Sequence, residues 1–127
     1  MLTEMNTKEL VTRFIHEVLA ASDESIVDDF LHKDFVRHDK FTVENSSEDV
    51  KKNLRRQKEF FTDLKFTIEK MVGENNLVAV YMSSIGKHKE TGQELTGKGL
   101  VFVEVVDNKI SQVWSSWDRP EVAEKAA

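Results

Sequence analysis

The sequence contains no cysteine. That absence removes disulfides, thiolate catalysis and cysteine-ligated zinc together, and it fits a reducing compartment. Long apolar runs are missing too. A run such as Leu100-Val101-Phe102-Val103 is far too short to span a bilayer. The start of the chain, Met1 to Asn6, lacks the basic residues and apolar stretch of a signal peptide. A cytoplasmic location is therefore expected, with no membrane partner. Positive charge is in deficit: the net charge is −5. An acidic chain repels phosphate backbones, so no nucleic-acid partner is expected.

What is present suits one small soluble domain over residues 1–127. Leu10, Val11, Phe14, Ile15, Val18 and Leu19 recur at helical spacing, and Asn6 with Glu9 forms a capping pair. A second, shorter helix starts at Ser22 or Asp23 and buries Ile26, Val27, Phe30 and Leu31. Between Lys33 and Asn45, polar residues interrupt Phe35, Val36 and Phe41, which predicts a short strand or an ordered loop. A third helix runs from Ser46 or Ser47 to Phe61, with Ser46 and Asp49 as its capping box.

From Leu64 the pattern alternates, as strands do. Strands are expected over Leu64–Glu69, Leu77–Ile85, Leu95–Val106 and Ile110–Asp118, with turns at Gly73–Asn76, Thr91-Gly92 and Asp107-Asn108. Pro120 ends the last strand, because proline cannot donate to a ladder. Glu121 to Ala127 reads as a frayed tail. Three helices followed by an antiparallel meander of about four long strands make an α+β fold, with the helices on one sheet face.

Strict alternation along the last strand puts Ile110, Gln112, Trp114, Ser116 and Asp118 on one face. Ser111, Val113, Ser115 and Trp117 take the other. A carboxylate beside Trp114 at the edge of an apolar cavity is disfavoured as the charged form and poised for proton transfer. Asp118 can equally cap the strand or pair with Arg119. His38 lies in the polar break Arg37-His38-Asp39, and histidine is a residue type that can shuttle protons or orient a substrate carbonyl; a surface loop role is the alternative. His88 shares a face with Val78, Val80, Met82 and Ser84 and reaches either a pocket mouth or an exposed hairpin. His16 and His32 read as structural or solvated. No two histidines have the four-residue spacing that presents them together on a helix, so no metal site is expected. Gly97-Lys98-Gly99 lies inside a strand and marks a bulge or bend. Lys51-Lys52-Asn53-Leu54-Arg55-Arg56 reads as a solvated helix face.

The segments Asp34-Phe35-Val36-Arg37-His38, Phe61 to Glu69, Gly86-Lys87-His88, Thr96-Gly97-Lys98 and Asn108-Lys109-Ile110…Trp114…Asp118 occur together in order. In this the chain resembles the SnoaL-like polyketide cyclases and predicted ester cyclases of the NTF2-like superfamily, from about Leu10 to Asp118. The resemblance implies a cone of three helices on a curved antiparallel sheet. It also implies a cyclase or isomerase that needs no metal or organic cofactor. A base removes a proton next to a carbonyl, and the enolate attacks an internal carbonyl. Asp118 matches the family's general acid/base, and His38 matches a histidine lining the same pocket. Trp114, Phe102, Glu104, Gln112 and His88 are the expected substrate-binding residues. The family carries further polar residues where Phe102 and Glu104 stand, and the segment Lys89–Glu94 lacks its run of small residues.

The expected ligand is a small hydrophobic carbonyl compound, bound either for turnover or by a non-catalytic carrier. Family members commonly form homodimers through the outer sheet face. Ser111, Val113, Ser115 and Trp117 are the expected interface residues.

Overall fold

The computed structural model describes residues 6–40 and 44–118 together with the backbone of 121–122. Helix α1 (Thr7–Arg13) starts where predicted: the Asn6 side-chain oxygen accepts from the Glu9 backbone N–H at 2.9 Å. Beyond Arg13 the helix widens into a π-type turn, Phe14–Leu19, where Ala20 N–H donates to the Ile15 carbonyl. The stripe Leu10, Val11, Ile15 and Val18 is buried. A 3₁₀ turn (Glu24–Ile26) leads into the short helix α2 (Val27–Phe30), which buries Val27 and Phe30.

Strand β1 (Leu31–Asp39) follows at once. It is a full strand, where the sequence predicted a short strand or loop. It pairs with β5 in parallel, so the sheet is mixed and not a pure antiparallel meander. Its alternation is hidden because Arg37 and Asp39, on the helix-facing side, are polar. Residues 41–43 of the same predicted segment lie outside the described residues.

Helix α3 (Ser47–Phe60) is capped by Ser46, whose hydroxyl accepts from Asp49 N–H, and it buries Val50 and Leu54. Lys51 donates to Asp28 at 2.8 Å and ties α3 to α2. That hydrogen bond, more than the one from Ser47, holds the Asp28 carboxyl below the usual aspartate range. A depressed folded pKa gives stability that is present at neutral pH and lost as pH falls through the folded value. Asp28→Asn should therefore flatten the acid limb of a pH–stability profile. Both partners are partly solvated, so the effect stays within about 1 kcal/mol. Urea midpoints between neutral and acid pH check it.

Strands β2 (Phe61–Glu74), β3 (Leu77–His88), β4 (Glu94–Val106) and β5 (Lys109–Trp117) complete the sheet in the order β1-β5-β4-β3-β2. Asp107 and Asn108, with φ of 52° and 59°, make the predicted tight β4–β5 hairpin. Glu121–Val122, expected to fray, pairs instead with β4 as a short β6. Arg119, Pro120 and residues 123–127 lie outside the described residues, and with them the expected strand stop and the Asp118–Arg119 pair. Val78, Val80 and Met82 of β3, Val103 and Val105 of β4 and Ile110 of β5 meet the helices in the core. No described helix is long and apolar enough to cross a membrane.

Candidate functional site

One register shift decides which residues face which way. Val105 pairs with Ile110, but Glu104 pairs with Gln112. Ser111 is therefore an extra residue, and such a bulge reverses the parity of everything beyond it. Ile110 faces the core as expected. Val113, Ser115 and Trp117 then also face the helices, while Gln112, Trp114 and Ser116 face out. The predicted assignment of the two faces is thus inverted beyond Ser111. Trp117 lies in the core against Phe66, 5.9 Å between ring centroids, and not on an outer interface. Trp114 is 38% exposed on the outer side and not the wall of an inner pocket. On the helix-facing side Phe66, Ile68, Met71, Val101, Val113 and Trp117 are partly buried and pack against the core.

The outer side carries an apolar groove of about 560 Å³ between His38, Val72, Tyr81, Leu100, Phe102 and Trp114. The His38 ring stacks on Trp114, 5.2 Å apart and 16° from parallel, and Phe102 leans on the same indole at 5.9 Å. His38 pairs with Gln112 at 2.9 Å, and Gln112 Nε2 donates to Glu104 Oε1 at 3.1 Å. The carboxylate accepts only, so it turns the amide nitrogen toward itself and the amide oxygen toward His38. His38 Nε2 must then donate, which leaves the lone pair of the neutral imidazole on Nδ1. Five of the predicted residues thus meet in one place: His38, Trp114, Phe102, Gln112 and Glu104.

Asp118 and His88 do not join them. Asp118 is exposed, which corrects its expected apolar surroundings. It lines a second, polar groove with Lys65, Thr67, Ser83, Thr96 and Lys98. Four residues of extended chain separate it from Trp114, about 13 Å at 3.3 Å per residue. His88 lies on the side its parity predicted, but its Nδ1 accepts from the Thr91 backbone N–H at 3.3 Å, and its ring meets Phe60 edge-on. It closes the β3–β4 turn. His16 is exposed, and His32 Nδ1 accepts from the Asp34 backbone N–H.

Sequence reasoning missed a polar cluster on the helix-facing side. Arg37 Nε donates to Ser115 Oγ at 2.9 Å, and its two Nη atoms meet Glu44 and Asp39 at 3.2 and 3.4 Å. Ser115 Oγ donates to Asp39 at 2.6 Å, and Asn53 Nδ2 to Glu44 at 2.8 Å. Glu44 is 4% exposed. These bonds join β1, β5, α3 and the segment between them. The available signal was Arg37 and Asp39 two residues apart in a β-spaced segment. Among the described residues no group of three or more acids and histidines is placed to hold a metal ion.

Comparison with known proteins agrees with this architecture. The chain superposes on IdmH of Streptomyces antibioticus with a TM-score of 0.79 and 19% identity, covering 90% of this chain and 93% of that one. For a SnoaL-like polyketide cyclase of Agrobacterium tumefaciens the values are 0.77 and 15%, with 91% and 94% covered. For a protein of ketosteroid isomerase-like fold from Catenulispora acidiphila they are 0.75 and 13%, with 87% and 86% covered. At these identities the likeness is one of fold. No curated protein sequence matches the chain. The family model of the SnoaL-like polyketide cyclases matches residues 9–125, and the chain belongs to that family.

Proposed function

We propose that the chain is a cofactor-independent cyclase or isomerase that moves protons on a small apolar carbonyl compound held in the outer groove. Family membership supports the reaction class. The observation that carries the site is His38, set at the edge of an apolar groove with its tautomer fixed by Gln112 and Glu104. Nδ1 takes the proton from the carbon next to the carbonyl. The enolate carbon then attacks an internal carbonyl carbon, and the new alkoxide takes the proton back from Nδ1; reprotonation at another carbon gives isomerisation instead. Trp114 holds the imidazole plane. Asp118, at the far polar end, has no part in this transfer.

His38→Gln keeps the groove and removes the base. It should slow deuterium exchange at the α-carbon of a small ketone by about 10²–10⁴-fold, read by NMR. Exchange at the wild-type rate in the variant would leave the groove as a carrier site without chemistry.

The exposure of Val72 (68%) and Leu100 (61%) favours a second reading, in which another copy of the chain covers this face. The interface would then centre on Leu100, Phe102 and Trp114, not on the predicted Ser111, Val113, Ser115 and Trp117. Sedimentation equilibrium separates the two uses. A dimer that Leu100→Glu converts to monomer supports the homodimer, and a wild-type monomer at all concentrations rejects it.

A further inference from the structure

The two edges of the sheet differ. β1 is covered at Arg37, whose backbone N–H donates to the Glu44 carbonyl at 2.7 Å in an isolated bridge. β2, at the other end of the strand order, pairs with β3 alone among the described residues. An edge strand presents a row of unpaired N–H and C=O groups to any strand that can align with it. Register shifts against β3 fall between Thr62 and Lys65 and between Ile68 and Lys70. These bulges bend the two ends of the edge and confine regular pairing to the stretch between them, Lys65 to Ile68.

That stretch, with the residue after it, reads alike in both directions: cation, apolar, hydroxyl, apolar, anion, from Lys65 through Phe66, Thr67 and Ile68 to Glu69. Lys65, Thr67 and Glu69 are exposed. Thr67 lies opposite Ser83, and Glu69 accepts from the Ser83 hydroxyl at 2.6 Å, so both stand on the outer side. Phe66 and Ile68 are half-buried on the helix-facing side. A two-fold axis at Thr67 makes an antiparallel pair of two such segments, in which residue i faces j and j faces i. Lys65 then faces Glu69 of the second copy, twice, on the outer side. Phe66 faces Ile68 of the second copy, twice, on the inner side. Opposite charges and apolar pairs directly across antiparallel strands both stabilise the pairing. The neighbouring registers do worse: an axis at Phe66 sets Asp63 against Glu69, and an axis at Ile68 sets Phe66 against Lys70.

We propose that the free edge of β2 joins the same edge of a second copy, antiparallel and centred on Thr67, so that one sheet continues through both chains. The partner is this chain because the segment is complementary to itself in charge on one face and in apolar contact on the other. The contact is separate from the outer groove and needs no ligand there.

The chain has no cysteine, so an introduced one reports alone. Directly opposed residues of antiparallel strands have Cα atoms about 4.5–5.5 Å apart, within the span of a disulfide. Thr67→Cys should therefore give a covalent dimer with oxidised glutathione as the oxidant. Lys70→Cys, on the same strand, would lie about 20 Å from its copy, six strand residues away, and should link at least about tenfold more slowly. In sedimentation equilibrium Lys65→Glu should weaken the dimer about tenfold, because like charges then face each other at two places. Lys65→Glu with Glu69→Lys should recover most of that loss, and the recovery should shrink as salt rises. A wild-type chain that stays monomeric at all concentrations would overturn the proposal. Equal linking rates for Thr67→Cys and Lys70→Cys would overturn it as well. A dimer that Leu100→Glu disperses and Lys65→Glu leaves intact would also overturn it, in favour of contact through the outer face.

Discussion

Replacing Gly99 with alanine should cost about 2–3 kcal/mol of folding stability, the upper end of what overpacking a core does. A Cβ on Gly99 would stand 2.4 Å from Cδ2 and Cε2 of Trp117, where carbon atoms normally rest about 3.5–4.0 Å apart. The obstacle is a rigid ring, not the end of a flexible chain. Trp117 cannot retreat, because Phe66 meets it edge-on and the core lies behind. The glycine is needed here for space alone. Urea unfolding followed by fluorescence would show a lowered midpoint at unchanged slope. Trp117→Leu should recover part of the loss in the double variant. A change of less than 0.5 kcal/mol, a bound typical of surface sites, would mean that the indole does not lie on Gly99.

Arg37→Met should cost more, about 3–5 kcal/mol. One guanidinium serves Ser115, Glu44 and Asp39 at once, and both carboxylates are shielded from water. Methionine fills much of the volume but leaves two buried negative charges without it. Burying a negative charge without that partner is costly, and the cost falls as acid removes the charge. The deficit of the variant should therefore be largest near pH 7 and shrink toward about pH 4. Chemical denaturation across that range reads it. A deficit that does not change with pH would show that the damage is lost packing, not uncompensated charge.

These residues mark where local patterns stop being informative. The capping boxes at Asn6 and Ser46, the α1 stripe and the Asp107-Asn108 hairpin each arise within a few neighbouring residues, and each was legible. Strand β1 was not, because Arg37 and Asp39 occupy inward positions where alternation expects apolar side chains. They are stable there only through Ser115, Glu44 and Asn53, which are distant in sequence.

By itself the sequence determined the α+β order, the helix caps and most turns; of the seven residues that it and the family resemblance grouped, His38, Gln112, Trp114, Phe102 and Glu104 meet, and Asp118 and His88 do not. Which side of the sheet Gln112 and Trp114 look toward was decided by the tertiary structure alone. Ser111 becomes an extra residue only when β5 pairs with β4, and no pattern inside β5 records that pairing. A single unpaired residue put Gln112 and Trp114, expected to face an inner pocket, on the outer side of the sheet. It also moved Trp117, expected at an interface, into the core, since strand faces alternate with a period of two and one insertion exchanges them.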